Sequence, residues 1–340
     1  MNSGQPFVYN RSLKGFILFA VIMSVIPFLV PSAYVLSIMI LIGIYSLVIL
    51  GMNLLMGYAG QISLGHASFY GIGAYASAYV TVQLGLPAPA GIAAGILISA
   101  LIAFIVGIPT LKLSGHYLAL ATLGFGMIMF VVFKEWKSVT GGLNGFSGIP
   151  ALDLFGLRID TDFKYYYLIW FVVLAGIWIS RNLIQSRVGR ALRSIHGSEI
   201  AAFSVGVDIQ KYKLQVFVLS ACFASLAGSI YAHYVTFINP MLFGANTSIH
   251  FLIISVLGGS LSIWGCAVGA TVYFALSELL KDLLPNIGGH SSEPFQIVFF
   301  GLILVLILIY MPEGLSSVAS KMWNKARSRG KSRGNDGGSP

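Results

Sequence analysis

The sequence predicts an all-α polytopic membrane protein of about ten transmembrane helices with both termini cytoplasmic. Three observations carry this expectation. Only 9% of the 340 residues are charged and 57% are hydrophobic, whereas an ordinary soluble domain carries roughly 25% charged residues. The apolar residues fall in runs close to the ~20 that a helix needs to cross a hydrocarbon core. The basic residues gather in two segments, 181–213 and 321–333, which an even number of crossings puts on one side of the bilayer. A chain so poor in charge cannot cover a globular surface with polar groups, which excludes a soluble catalyst, a disordered adaptor and a disulfide-stapled secreted module.

Hydropathy places the spans near 15–30, 34–56, 66–84, 90–111, 117–133, 165–181, 213–237, 247–262, 264–284 and 295–311. The breaks coincide with turn residues: Pro31 and Ser32, the stretch 57–65, Leu86 to Pro89, and Pro285 to Pro294. Arg11 and Lys14 before the first apolar run resemble a signal peptide, but hydrophobicity resumes at Tyr34, so the first span is expected to stay uncleaved. Gly258, Gly259 and Gly265 weaken the eighth span, where a broken or re-entrant helix is the alternative. The chain divides into a cytoplasmic N-terminus (1–14), a transmembrane domain (15–312) containing a polar loop at 182–212, and a basic, disordered cytoplasmic tail (313–340).

Charge tests this arrangement separately. A cytoplasmic N-terminus puts Arg11, Lys14, Lys112, Arg181, Arg187, Arg190, Arg193, Lys211 and Lys213 inside, together with six basic residues of the tail. Lys134, Lys137, Arg158, Lys164 and Lys281 fall outside. That asymmetry satisfies the positive-inside rule and accounts for the net charge of +9 through orientation in a lipid bilayer, without nucleic acid. The two cysteines, Cys222 and Cys266, sit in apolar runs as packing thiols.

Four regions are candidates for function. The cytoplasmic loop places Arg187, Arg190 and Arg193 at spacings of three, followed by Gly197 and a short Ala-rich helix opened by Ser198 and Glu199. Gly206 ends that helix, leaving a stub along the membrane surface. It is either a solvated connector or a docking helix that takes up motion from a cytoplasmic partner. The segment 57–78 carries almost no side-chain volume, and Gly60, Gln61, Ser63, Gly65, His66 and Gly71 read either as tight packing with local satisfaction of the backbone or as a border of the translocation path. Thr140, Gly141, Gly142, Asn144 and Gly145 form a tight external turn or the external mouth. Trp136, Tyr165, Tyr166, Tyr167 and Trp170 read as interfacial belt residues.

No catalytic residue is expected. The six histidines are scattered without ligand spacing, so no metal site is expected either. Gly330-Lys331-Ser332 lacks the glycine five residues earlier that a phosphate loop requires. The external loop, about 134–164, is too short for an independent substrate-binding domain, and no nucleotide-binding domain fits anywhere.

The run GRALR at 189–193, then EIAA at 199–202, Gly206 and Lys213 resembles the coupling loop of ABC importer permeases. With GYAGQISLGHASFYGIGAY at 57–75, TLGFG at 122–126 leading to TGGLNG at 140–145, and VLGG at 256–259 with WGCAVGA at 264–270, the chain resembles the permeases of branched-chain amino acid importers, specifically the LivM-like subunit. It departs from the family's pattern at His196, Gly197 and Leu261.

The resemblance implies the ABC importer permease fold in the plasma membrane of a prokaryote. It also implies a partnership with a second permease, two cytoplasmic ATP-binding subunits and an extracytoplasmic solute-binding protein. The implied solutes are leucine, isoleucine and valine, with urea or short amides as the alternative. A stand-alone secondary transporter is disfavoured because no pair of acids sits mid-span. The chain itself would bind no cofactor, ATP and Mg being used by the partner ATPase. Arg187, Gly189, Arg190, Arg193, Glu199, Ala201, Ala202 and Gly206 would couple to that ATPase.

Overall fold

The computed structural model describes residues 13–29, 32–154, 156–283, 301, 302 and 305. The expectations for the N-terminus, the basic tail and most of the tenth span lie outside the described residues. The helices are α1 (Leu13–Leu29), α2 (Ala33–Asn53), α3 (His66–Val82), α4 (Ala88–Thr110), α5 (His116–Glu135), the single turn α6 (Lys137–Thr140), α7 (Asp162–Gln185), α8 (Arg187–Gly197), α9 (Glu199–Ser204), α10 (Ile209–Val235), α11 (Ala245–Gly258) and α12 (Gly265–Leu283). A π-helical turn (Leu54–Tyr58) extends α2.

Five of these elements are long and apolar enough to cross a membrane among the described residues: α2 with its π turn, α4, α5, α7 and α10. Shorter apolar helices, α11 and α12 among them, complete a multi-pass membrane protein. The expected helical architecture is present with one addition. Small antiparallel ladders form where loops meet: β1 (Phe146–Ser147) pairs with β4 (Phe237–Ile238), and β2 (Leu152–Leu154) with β3 (Leu157–Ile159). The sequence reading had no ladder here, because two or three residues are too few to show a period-two pattern.

The bundle has two ends. Lys112, the α7–α8 junction, α8, α9 and the start of α10 lie at one, the basic end. The links 83–87, 136–161 and 236–244 lie at the other, where Tyr34 at the start of α2 donates to Glu278 of α12. The core is the pairing of α3 with α10, flanked by α2 and α4. A Cβ on Gly228 would land on the Tyr70 carbonyl, and one on Gly73 would land on the Ser225 carbonyl. The backbones therefore touch, and Ser229 Oγ donates to the Gly73 carbonyl at 3.0 Å. The low side-chain volume of 57–78 marks the right helix, but Gly71 is not at the crossing point and packs against the rings of Phe133 and Phe243.

The eighth span is short, as its glycines suggested. At 14 residues α11 covers about 21 Å at 1.5 Å per residue, less than a hydrocarbon core of about 30 Å. The link before it makes up the difference by dipping inward, since Pro240 and Phe243 are buried and the Phe243 ring meets those of Tyr70 and Tyr75 on α3 at steep angles. Trp136 is exposed, whereas Tyr165, Tyr166 and Trp170 are buried in the bundle and do not form an exposed belt. These rings serve helix packing: Tyr166 Oη donates to the Met23 carbonyl of α1 at 2.7 Å, and Trp170 meets the Phe19 ring edge to face.

Candidate functional site

The basic end combines a polar loop with three exposed apolar side chains, Ile200, Phe203 and Val205. Ser186 ends α7 and caps α8, its hydroxyl accepting from Val188 N at 3.1 Å. Gly189 lies directly against the Ile184 carbonyl, where no side chain fits. Arg193 donates to the same carbonyl at 3.0 Å, a cation at the C-terminal end of α7 where orphan carbonyls collect. Ala191, Leu192 and Ile195 face inward, leaving Arg187 and Arg190 exposed. The sequence reading had one short helix here. The structure has two, because Gly197 closes a full amphipathic helix before Ser198 opens the next.

Ser198 caps α9 as expected, accepting from Ala201 N at 3.3 Å. Gly206 (φ 81°) supplies the left-handed turn that closes the helix, bringing Val207 N to the Ala202 carbonyl at 3.0 Å. Ala202 faces inward, Ala201 is exposed, and Ile200, Phe203 and Val205 project outward at 82%, 74% and 76% exposure. These three were missed in the sequence because single apolar residues in a polar stub carry no period. Between α9 and the α4–α5 turn lies a groove of ≈ 650 Å³, bordered by Lys112, Ser114, Phe203 and Asp208.

Lys213 was also missed as a site residue. Its ammonium, 4% exposed, bonds Glu199 at 2.7 Å and so ties α9 to the first turns of α10. Breaking a buried pair from the exposed side strands the buried charge, which costs about 3–5 kcal/mol when both partners are buried. Here the carboxylate is 48% exposed, so Glu199→Ala is expected to cost about 2 kcal/mol once solvent screening is allowed for. Lys213→Met leaves a carboxylate able to turn to water and should cost less. Thermal unfolding of the two variants, with hydrogen exchange across 199–213, checks that order; the reverse order would refute the pairing's asymmetry.

The second region is re-entrant. From Tyr58 the chain reaches the basic end at Gly60, which sits against His196 of α8, and then turns back so that α3 starts inside the bundle. Ser220, its neighbour, lies 11 residues past the start of α10, about 16 Å along the helix. Irregular backbone at this depth must be satisfied by protein, and two hydroxyls from other helices serve that purpose. Thr122 Oγ1 accepts from Leu64 N at 3.0 Å and Ser248 Oγ from Ala67 N at 3.0 Å. His66 bonds Ser63 through Nδ1 at 2.9 Å and Ser220 through Nε2 at 2.5 Å. Tyr58 Oη and Asn53 Nδ2 hold the carbonyls of Leu261 and Ser262 in the α11–α12 link.

The structure thus brings Gln61, Ser63, Gly65 and His66 together and buries them, while Gly60 is exposed and Gly71 lies apart among aromatic rings. Gln61 is 3% exposed with neither amide atom hydrogen-bonded. Among the described residues no group of three or more His, Cys, Asp or Glu could hold a metal ion.

The third region is the opposite end. Thr140 ends α6 with its hydroxyl 2.6 Å from the Phe133 carbonyl and accepting from Gly142 N at 3.2 Å. Gly141, Gly142 and Gly145 all have positive φ (75°, 62° and 78°), which permits the reversal. Asn144 is exposed beside Leu143. Gly145 packs under the Phe237 ring, so the turn is joined to the link after α10. Nearby, the Lys164 ammonium at 2.9 Å holds the Asp160 carboxyl below its ordinary range.

Comparison with known proteins agrees with this architecture. A family model described as branched-chain amino acid transport system / permease component matches residues 34–308. LivM of Escherichia coli (strain K12), a high-affinity branched-chain amino acid transport system permease protein, is 32% identical over 312 residues, 85% of this chain and 71% of that protein. The probable branched-chain amino acid transport permease protein LivM of Methanocaldococcus jannaschii is 26% identical over 318 residues, covering 80% and 90%. LivH of Escherichia coli (strain K12), also a permease protein of the high-affinity branched-chain system, is 25% identical over 291 residues, covering 80% and 90%. No solved structure matches. This multi-pass helical chain, matched over most of its length, belongs to the branched-chain amino acid transport system permease family.

Proposed function

We propose that this chain is one of two permease subunits of an ATP-driven importer carrying leucine, isoleucine and valine across the plasma membrane of a prokaryote. The basic end is cytoplasmic, by the positive-inside rule, and with ten spans both termini face that side. The permease performs no chemistry and binds no cofactor. Two cytoplasmic ATP-binding subunits hydrolyse ATP with Mg, one docking on α8 and α9 of this chain, and an extracytoplasmic binding protein delivers solute to the opposite end. The existence of LivM and LivH permeases in one organism supports a heterodimeric pore.

The observation that carries the reading is the outward projection of Ile200, Phe203 and Val205 from a helix that Lys213 anchors to α10. Apolar side chains at this exposure on a polar segment mark an interaction surface, and the anchor lets force applied there reach the bundle. Arg187, Arg190 and the half-buried Arg193 line the approach. The re-entrant segment, with the unbonded Gln61, borders the path, and the turn 140–145 forms part of its external mouth.

The test is reconstitution of this chain in liposomes with a second permease, the ATPase and binding protein. ATP-dependent accumulation of leucine, competed by isoleucine and valine, is the expected result. Solute flux by the single chain without ATP would overturn the proposal. Competition by urea instead of the amino acids would replace the substrate.

A further inference from the structure

We infer that His233 is a positioning residue that fastens the external loop 146–152 to α10, so that the surface offered to the binding protein moves with the helix whose other end carries the ATPase-docking stub. This rests on the proposed function in taking that loop as part of the delivery face.

The attachment is chemically specific. His233 lies in the last turn of α10, is fully buried, and its Nδ1 is 2.8 Å from the Pro150 carbonyl. A carbonyl only accepts, so Nδ1 carries the proton and the unprotonated Nε2 accepts from Ser77 Oγ of α3 at 2.9 Å. One imidazole therefore closes a bridge from loop to α10 to α3, and its two nitrogens have different tasks. The backbone carbonyl of the same residue is also engaged. Tyr165 Oη of α7 donates to it at 2.9 Å and accepts from Leu152 N at 3.1 Å.

Around this bridge the loop is stitched to the chain following α10. Phe146 pairs with Ile238 and Ser147 with Phe237, and Ile149 N reaches the Thr236 carbonyl at 3.4 Å. Thr236 itself has φ 62°, the one positive φ outside glycine among the described residues. A β-branched residue adopts that conformation only where its surroundings hold it there. The strained turn is what sends the chain back along the loop. At the far end of the same 27-residue helix, Asp208 caps the first turn and Lys213 holds Glu199. Outer loop and inner stub are thus fixed to one continuous rod.

The test uses the complete transporter in lipid nanodiscs, with leucine-loaded binding protein as titrant. In His233→Leu, amide hydrogen exchange in 146–152 should quicken about tenfold while 199–206 is unchanged. The binding-protein concentration giving half-maximal stimulation of ATP hydrolysis should rise about tenfold, the scale of one lost hydrogen bond, with unstimulated hydrolysis within about twofold of wild type. His233→Gln, able to donate to Pro150 and accept from Ser77, should restore both readouts. Ser77→Ala, which removes only the Nε2 partner, should give a smaller shift of about threefold and serves if His233→Leu fails to fold.

Unchanged exchange in 146–152 overturns the inference. So does a parallel fall of stimulated and unstimulated hydrolysis at constant half-saturation. Failure of the binding protein to stimulate the wild-type transporter would instead remove the delivery role of this end, and faster exchange in the variant would still establish the fastening.

Discussion

Phe203→Asp should reduce ATP-driven uptake by about 100-fold while the protein inserts and purifies as before. The ring is 74% exposed, so its removal leaves no cavity in the bundle, and surface changes of this kind ordinarily cost less than about 0.5 kcal/mol of stability. On the proposed docking role, its contribution lies in the complex. Aromatic anchors at interfaces contribute about 2–4 kcal/mol when seated in a partner's pocket, and a carboxylate in the same pocket adds a desolvation cost. Ile200→Asp, one turn back along the same face, should act in the same direction with a smaller effect, because less area is lost. Co-purification of the ATPase with each variant separates lost docking from lost transport. Full ATPase retention with normal uptake by Phe203→Asp would remove α9 from the coupling surface.

Gly228→Val should prevent accumulation of folded protein altogether. The added Cβ would coincide with the Tyr70 carbonyl, and backbone on both sides leaves no flexible side chain to yield. Over-packing a core usually costs about 1–3 kcal/mol, but that range assumes side chains that can rearrange. Here α3 and α10 must separate, which also withdraws the Ser229 bond to the Gly73 carbonyl. The measurement is the yield of monodisperse protein in detergent. Gly124→Val is the control, since nothing lies within 4 Å of a Cβ there. Equal yields for the two variants would refute the close crossing.

These cases also show what the amino-acid pattern reveals and what it withholds. Bilayer crossings were legible because lipid imposes a length and a polarity that local sequence must obey, hence the agreement at α2, α4, α5, α7 and α10. Caps were legible for the same local reason, as at Ser198. The Glu199–Lys213 pair was not, because it joins residues on two helices across a turn whose geometry Gly206 decides. His233 was read as one of six scattered histidines, since its partners are a carbonyl 83 positions away and a serine 156 positions away. The polar residues of 57–66 were recognised as unusual, but the sequence left open what they do. The structure shows Tyr58 and Ser63 bonded to backbone groups and His66 to two serine hydroxyls, while Gln61 is buried without a hydrogen bond.

The buried start of α3 has a consequence for how the polypeptide is made. The hydroxyls that complete its first turn come from Ser220 and Ser248, synthesised 154 and 181 residues after their partners. Until both emerge from the ribosome, the nascent hairpin holds an imidazole and open amide groups inside hydrocarbon or keeps them waiting at the translocon. The first turn of α3 therefore closes only after Ser248 has been made, late in translation.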